Sequence, residues 1–218
     1  SRADTLARES RVLRLLEPVL VEPVEPEKRP RALDVGTGDG TYALEMSRRG
    51  ARVIGVDVSD TMLDAARKRA EQAGLSIDLR RADVQALPFP DGHFDCVVAV
   101  TVLCFVDDAA RALSEMSRVL VPGGRLVIGE LAKWSTWAAK RRVQGWLGSE
   151  TWEAARFRTR SELRSLVEAA GLSVLRVEGA IHYPPSARFA ELAAKFDATL
   201  GRLGAPGAAF IAVSAQAP

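Results

Sequence analysis

Apolar residues along this chain follow two periods, and the switches between them outline its architecture. Short apolar runs at 32–35, 51–56, 77–80, 94–100, 126–129, 172–177 and 208–214 have the length and composition of strands. Between several of them apolar residues recur every three or four positions, the spacing of one buried helix face. Met62, Leu63, Ala66 and Ala70 form such a face, with Ser59 placed to cap its start and Gly74 to end it. A second helix runs from about Asp107 through Leu113, Met116 and Leu120 until Pro122, Gly123 and Gly124 force a turn. Thr159 and Glu162 make a T-x-x-E capping box ahead of Leu163, Leu166, Val167 and Ala170, and Gly171 closes that helix. Strands alternating with helices of this length read as βαβ units around a parallel sheet.

Three segments stand outside the rhythm. Leu6, Leu13, Leu16 and Leu20 share a helical face and are followed by Pro18, Pro23, Pro26 and Pro30, so residues 1–30 read as a helix and proline-rich connector before one domain at 31–218. Residues 132–158 and 183–207 read as insertions on the sheet scaffold, where substrate selection tends to sit.

Composition narrows the function. With 218 residues, 47% apolar and 27% charged, the chain can bury one ample core. Thirty basic against 28 acidic side chains leave a net charge of +2, far from the strongly basic balance of a sequence-independent nucleic-acid binder, so no nucleic-acid partner is expected. No apolar run approaches the roughly 18–20 residues that span a bilayer. The first thirty residues are charged throughout rather than shaped as a signal peptide, which makes a cytoplasmic location the expectation. Cys96 and Cys104 lack the CxxC pairing of a zinc site and read as buried, reduced thiols; no metal is expected.

The most informative stretch is Leu33-Asp34-Val35-Gly36-Thr37-Gly38-Asp39-Gly40, which ends an apolar strand and opens a helix through three close glycines. Such a turn lets a ligand approach the main chain beside the exposed amides of a helix N-terminus. Asp57 ends the next strand, where a carboxylate can accept hydrogen bonds from ribose hydroxyls or cap the helix that Ser59 begins; position alone leaves both readings open. A dinucleotide fingerprint would need glycine or alanine where Thr41 stands, which weakens a nicotinamide-dependent oxidoreductase as the alternative.

The G-x-G-x-G turn preceded by Asp34 resembles the first motif of class I S-adenosylmethionine-dependent methyltransferases. Further along, the resemblance takes in Ala82-Asp83-Val84, Leu87-Pro88-Phe89-Pro90-Asp91, Phe94-Asp95 and Arg118-Val119-Leu120-Val121-Pro122-Gly123-Gly124-Arg125-Leu126, covering about residues 31–130. The nearest likeness is to the small-molecule branch typified by the ubiquinone and menaquinone C-methyltransferases, the type 11 methyltransferase domain. It implies an α/β, Rossmann-like, doubly wound sheet of seven mostly parallel strands, the last antiparallel, with helices on both faces. It further implies an S-adenosyl-L-methionine site made from Asp34, Gly36, Thr37, Gly38, Gly40, Asp57, Val58, Met62, Ala82, Asp83, Val84, Val100 and Thr101. In that family Asp57 would hold the ribose, Val58 and Met62 would flank the adenine, and Asp83 would read its amino group. The Pro-Gly-Gly turn is structural.

Methyl transfer from a sulfonium is an in-line displacement that positioning alone can accelerate, whereas a phenol or enolisable carbon gains from a base. Glu130 stands at the expected mouth of the site, either as such a base or as a solvated strand-end acid. His182 and Tyr183, before Pro184-Pro185, are the next candidates, with a structural turn as the competing reading; His93 reads as a solvated loop residue. All four tryptophans, Trp134, Trp137, Trp146 and Trp152, fall in the first insertion with Lys140, Arg141, Arg142, Arg156 and Arg158. They read as a substrate lid, as helices packed on the sheet, or as a peripheral membrane contact. Trp134, Trp137, Trp146 and Tyr183 are the substrate-binding candidates. Val100-Thr101-Val102-Leu103 does not resemble the N-P-P-Y sequence of adenine-amino methyltransferases. The expected activity is methylation of a small metabolite, in the finer reading a hydrophobic one; the alternative class is a non-catalytic, cofactor-binding partner subunit.

Overall fold

The computed structural model describes residues 2–17, 29–182 and 207–218. Its elements follow the chain as α1 (Arg2–Leu16), β1 (Arg31–Val35), α2 (Thr41–Arg48), β2 (Arg52–Asp57), α3 (Asp60–Gln72), β3 (Asp78–Arg81), β4 (Phe94–Val100), α4 (Ala109–Arg118), β5 (Leu120–Leu131), α5 (Thr136–Trp146), α6 (Glu150–Glu153), α7 (Arg160–Ala169), β6 (Ser173–Ala180) and β7 (Phe210–Gln216). One sheet takes all seven strands in the order β3-β2-β1-β4-β5-β7-β6. Pairings from β3 through β5 are parallel, and β7 runs antiparallel to both β5 and β6. The expected doubly wound α/β sheet with an antiparallel last strand is therefore the fold.

Alternation along the central strands builds two cores, because successive side chains leave opposite faces of a sheet. Leu33, Val35, Val97, Ala99, Leu126 and Ile128 point to one face, where Leu113 and Met116 of α4 and Leu163 and Val167 of α7 meet them. Ala32, Cys96, Val98 and Val127 point to the other, against Val12, Leu13 and Leu16 of α1 and Ala43 and Met46 of α2. Central strands buried on both sides explain why the sequence reads there as continuous apolar runs. Both cysteines are buried and free, and burial pushes the Cys96 thiol up to about 12, so it is unreactive.

Ser59 caps α3, and Thr159 with Glu162 forms the full reciprocal capping box of α7, as their spacing predicts. Three local expectations are corrected. Helix α4 stops at Arg118, so Leu120 belongs to β5 rather than to the helical stripe. Pro122-Gly123-Gly124 does not separate helix from strand but lies within β5 as a looped-out irregularity, between the pairs Phe94–Leu120 and Cys96–Arg125. Proline cannot donate to the ladder, and Gly123 takes φ +76°, so the segment bulges while Gly123 N and Gly124 O bond to Ala217. His93 is not a solvated loop residue: it is half-buried, its ring meeting Phe94 edge-on at 4.8 Å and stacked 6.4 Å from Phe89.

Helix α1 is fastened to the far side of the sheet by a buried charge cluster. Arg11 donates to the Gly179 carbonyl at 3.1 Å, and Arg14 pairs with Glu178 of β6. Glu178→Ala would remove the carboxylate that pairs with Arg14 and stands 3.9 Å from Arg11. The expected loss is about 3–5 kcal/mol of unfolding free energy in denaturant titration, the cost of breaking a buried pair from one side.

Candidate functional site

Chain direction reverses across the sheet between β1 and β4: from β1 the chain winds outward to β2 and β3, then returns and winds the other way through β4 and β5. At such a switch point the loops leaving the strands' carboxyl ends part and leave a crevice. A cleft of about 530 Å³ opens there. Of the sequence-predicted cofactor residues, Gly36, Gly38, Asp57, Val58, Met62, Ala82, Asp83, Val84, Val100 and Thr101 line it.

The floor is the glycine turn between β1 and α2. Gly36 has φ +62°, and a Cβ there would stand 2.4 Å from a methyl of Val102, so any other residue is strained and displaces that side chain. Gly38, at φ +54°, has open space on its Cβ side. The Asp57 carboxylate secures this turn: one oxygen accepts from Gly38 N at 2.9 Å and the other from Ser59 N at 2.9 Å. Asp57 thus caps the turn before α3 and also lines the cleft.

Val58 is 60% exposed and Met62 46% exposed beside it, which corrects the placement of Met62 on the buried face of α3. Two large apolar side chains left in water at the lip of a cleft gain free energy when a flat apolar ligand covers them. Asp83 is exposed on the opposite side, its Oδ1 accepting from Gln85 N at 2.9 Å. The loop carrying it is fixed by Arg118, which donates to the carbonyls of Leu87 and Phe89 at 3.1 and 2.8 Å and pairs with Asp91 and Glu115. That clamp ties the Leu87–Asp91 segment to the end of α4.

Asp34, Thr37 and Gly40 do not line the cleft. Asp34 is buried beneath the turn and accepts from Thr37 Oγ1 at 2.7 Å; burial pushes its carboxyl up to about 7. Gly40 is the left-handed N-cap of α2. Thr37 lines an adjoining hollow of about 350 Å³, which shares Gly36, Gly38, Val100 and Thr101 with the cleft and takes its far wall from Arg8 and Glu9 of α1 and Tyr42 of α2.

Glu130 is not at the mouth of the site, nor is it solvated. It is 1% exposed, and its Oε1 accepts from the amides of Val102 and Leu103 at 3.0 and 2.8 Å. Those residues follow Thr101, which lines the cleft at φ +59°, a conformation strained for a β-branched residue. Arg158 donates to Leu103 O at 2.7 Å and Arg156 to Asp107 O at 3.0 Å, so the first insertion completes the grip on this loop. Val102, Phe105, Val106 and Asp107 of the same loop, with Gln85, line the cleft and were missed from the sequence. Their signal was adjacency to Thr101 in a short apolar stretch with no helical period.

His182 is half-buried after β6, away from the lining of the cleft, and Tyr183 falls outside the described residues, as does most of the 183–207 insertion. Trp137 lines a small cavity of about 140 Å³ with Leu131, Ile181, Phe210, Arg8 and Arg141, while Trp134 and Trp146 are exposed on the insertion. Among the described residues no group of three His, Cys, Asp or Glu side chains is placed to hold a metal ion, and no helix is long and apolar enough to cross a membrane.

Comparison with known proteins agrees with this geometry. The family model described as a methyltransferase domain matches residues 33–128. A demethylmenaquinone methyltransferase of Thermus thermophilus is 48% identical over 107 residues, 48% of this chain and 49% of that protein, so the match spans about half of that relative's length. A ubiquinone biosynthesis O-methyltransferase of Coxiella burnetii is 32% identical over 181 residues, 79% of this chain and 77% of its own. The solved structure of an S-adenosylmethionine-dependent methyltransferase of Thermotoga maritima, described as a possible histamine N-methyltransferase, superposes with a TM-score of 0.72 at 26% identity, covering 100% of this chain and 91% of that one.

Burial pushes the Glu130 carboxyl up to about 7 from an ordinary value of 4.5. Between those values the folded protein keeps a proton that the unfolded chain has lost. The group's contribution to stability is therefore present below about pH 4.5 and fades as pH rises through about 7. Glu130→Gln keeps the acceptor for both amides and cannot ionise. Denaturant melts at pH 5 and pH 8 should show the wild type losing more stability than this variant, by on the order of 1–3 kcal/mol; parallel losses would contradict a raised acid.

Proposed function

We propose that this chain, which belongs to the S-adenosylmethionine-dependent methyltransferases, methylates a small apolar acceptor of the ring-bearing kind for which its quinone-pathway relatives are named. The observation that carries the reading is the Asp57 carboxylate standing between a glycine turn and an exposed apolar pair. The residues fit the cofactor. Each Asp57 oxygen holds one backbone amide and keeps a lone pair for a ribose hydroxyl. Val58 and Met62 supply the apolar contact an adenine needs, Asp83 an acceptor for its amino group, and Gly36 and Gly38 a side-chain-free stretch of main chain.

When bound, the cofactor supplies an electrophilic methyl group on a sulfonium. The chain's part is to hold donor and acceptor in line and to keep water out, contributions that together can lower a barrier by several kcal/mol. Thr101 and Val100 sit where the cleft meets the adjoining hollow, so they face both ligands. Glu130 holds the backbone just beyond them and acts on the reaction through that loop rather than as a base. The hollow would offer space for the acceptor, and Arg8 is a wall residue both of it and of the small cavity at Leu131, Trp137, Ile181 and Phe210. No general base is required of an acceptor that binds already ionised or as a neutral amine.

Calorimetric titration should show saturable S-adenosylmethionine binding that Asp57→Asn weakens about tenfold and Asp57→Ala about a hundredfold, since a hydrogen bond to a charged group contributes roughly 1.5–3 kcal/mol. Unchanged affinity in both variants would remove the ribose role. Transfer of isotope-labelled methyl to a hydroquinone or catechol, against hydrophilic amines and carboxylates as competitors, tests the acceptor class. Turnover confined to the hydrophilic set would refute it.

A further inference from the structure

Large apolar side chains that the fold leaves exposed fall into two groups. Val58, Met62 and Phe105 belong to the cleft already described. Of the rest among the described residues, Trp134, Val143, Trp146 and Leu147 crowd into one stretch and Leu175 stands apart. Trp134 is 70% exposed, Trp146 84% and Leu147 81%, far beyond what a tryptophan or leucine packed on a neighbouring element keeps.

The stretch is an ordered helix with a defined inner side. Ser135 caps α5 by accepting from Ala138 N at 3.0 Å, and Ala138 and Gly145 are buried. A Cβ on Gly145 would stand 3.0 Å from the backbone of Trp152 and Glu153, so α6 lies directly against that side. Trp137 and Trp152 turn inward, with the Arg141 guanidinium over both rings at 5.7 and 4.8 Å. The outer side then presents Lys140, Val143, Trp146 and Leu147, spaced as one helical stripe.

Charge is one-signed over the same segment. From 131 to 149 there are four basic residues, Lys133, Lys140, Arg141 and Arg142, and no aspartate or glutamate, in a chain whose net charge is only +2. Lys133 pairs with Glu162 at 3.1 Å, Arg142 donates to the Lys133 carbonyl at 2.9 Å, and both cations lie about 6 Å from the Trp134 ring. Lys140 is exposed. The acids that flank the segment in sequence are Glu130, which is buried, and Glu150 and Glu153 on α6.

We propose that the outer side at the end of α5, with Trp146 and Leu147 as anchors and Val143 and Lys140 beside them, docks on the surface of an anionic lipid bilayer. Tryptophan and leucine flanked by lysine and arginine match both layers of such a surface, the acyl boundary and the negatively charged headgroups. A second copy of the chain is the poorer partner, because a two-fold contact would bring this basic, acid-free segment of each copy against the other. Docking would bring the neighbouring Trp137 cavity close to molecules dissolved in the bilayer, yet lipid binding itself requires neither cofactor nor acceptor.

Vesicle sedimentation tests this with phosphatidylcholine alone and with about one-third phosphatidylglycerol. The full chain is expected to partition at least about tenfold better onto the anionic vesicles, and to release as salt rises from about 50 to about 500 mM. Because all four tryptophans lie at 134–152, their emission should shift to the blue on binding. The double variant Trp146→Ser/Leu147→Ser should lose at least about tenfold in partition with its melting temperature and S-adenosylmethionine affinity unchanged. Equal partition onto both vesicle types, or undiminished binding by the variant, would overturn the proposal. So would an absence of vesicle binding together with a dimer, in sedimentation velocity, that the variant dissolves; the surface would then belong to a second copy.

Discussion

A single carboxylate joins the two loops on which the site depends. Asp57 ends β2, yet it bonds the amide of Gly38 after β1 and the amide of Ser59 before α3. Together with the Thr37 N–Val56 O bond at 2.9 Å, this carboxylate holds the glycine turn, whose residues occupy left-handed backbone regions at Gly36, Gly38 and Gly40, against the neighbouring strand. The same oxygens face the cleft, so the group that organises the free protein is also the one proposed to hold the ribose. Positions of this kind are pre-organised for binding, because a ligand meets a geometry already fixed by backbone hydrogen bonds.

A second carboxylate performs the matching task for the loop after β4. Glu130, buried beneath the loop after β4, receives the amides of Val102 and Leu103 while Arg158 holds the Leu103 carbonyl. Between this clamp and β4 lies Thr101, bonded through its amide to Gly129 O at 2.6 Å and kept at positive φ. Strain of that kind persists only where the surroundings over-determine the backbone. The strained residue borders both the cleft and the adjoining hollow. Asp34 and Glu130 both have their carboxyls raised to about 7 by burial, so each clamp can be neutral in a weakly acidic solution without losing its role as an acceptor.

Strand and helix periods were legible in the chain because both faces of the sheet are covered and the helices are amphipathic; the 94–100 run coincides with β4 to the residue. The glycine turn was legible because its backbone angles restrict what can stand there, while the expectation that Asp57 and Asp83 lie at one site came with the family resemblance; both line the cleft. Leu120 and the Pro-Gly-Gly segment misled because a bulge inside a strand carries the same residues as a turn. Glu130 misled because a strand-end acid looks the same whether its partners are water or the amides of a loop 27 residues earlier. Phe105 carried only its adjacency to Thr101, and Arg8 no local signal: they reach the site from a loop and from a helix that the sequence shows only as apolar and charged.

The most direct measurement is a crystal structure of the chain with S-adenosylhomocysteine. The expected result places both ribose hydroxyls within hydrogen-bond distance of Asp57 and the adenine against Val58 and Met62, with Gly38 N still on the carboxylate. A ligand seated with its ribose away from Asp57, or a carboxylate turned wholly to the backbone while the nucleoside binds elsewhere, would contradict it.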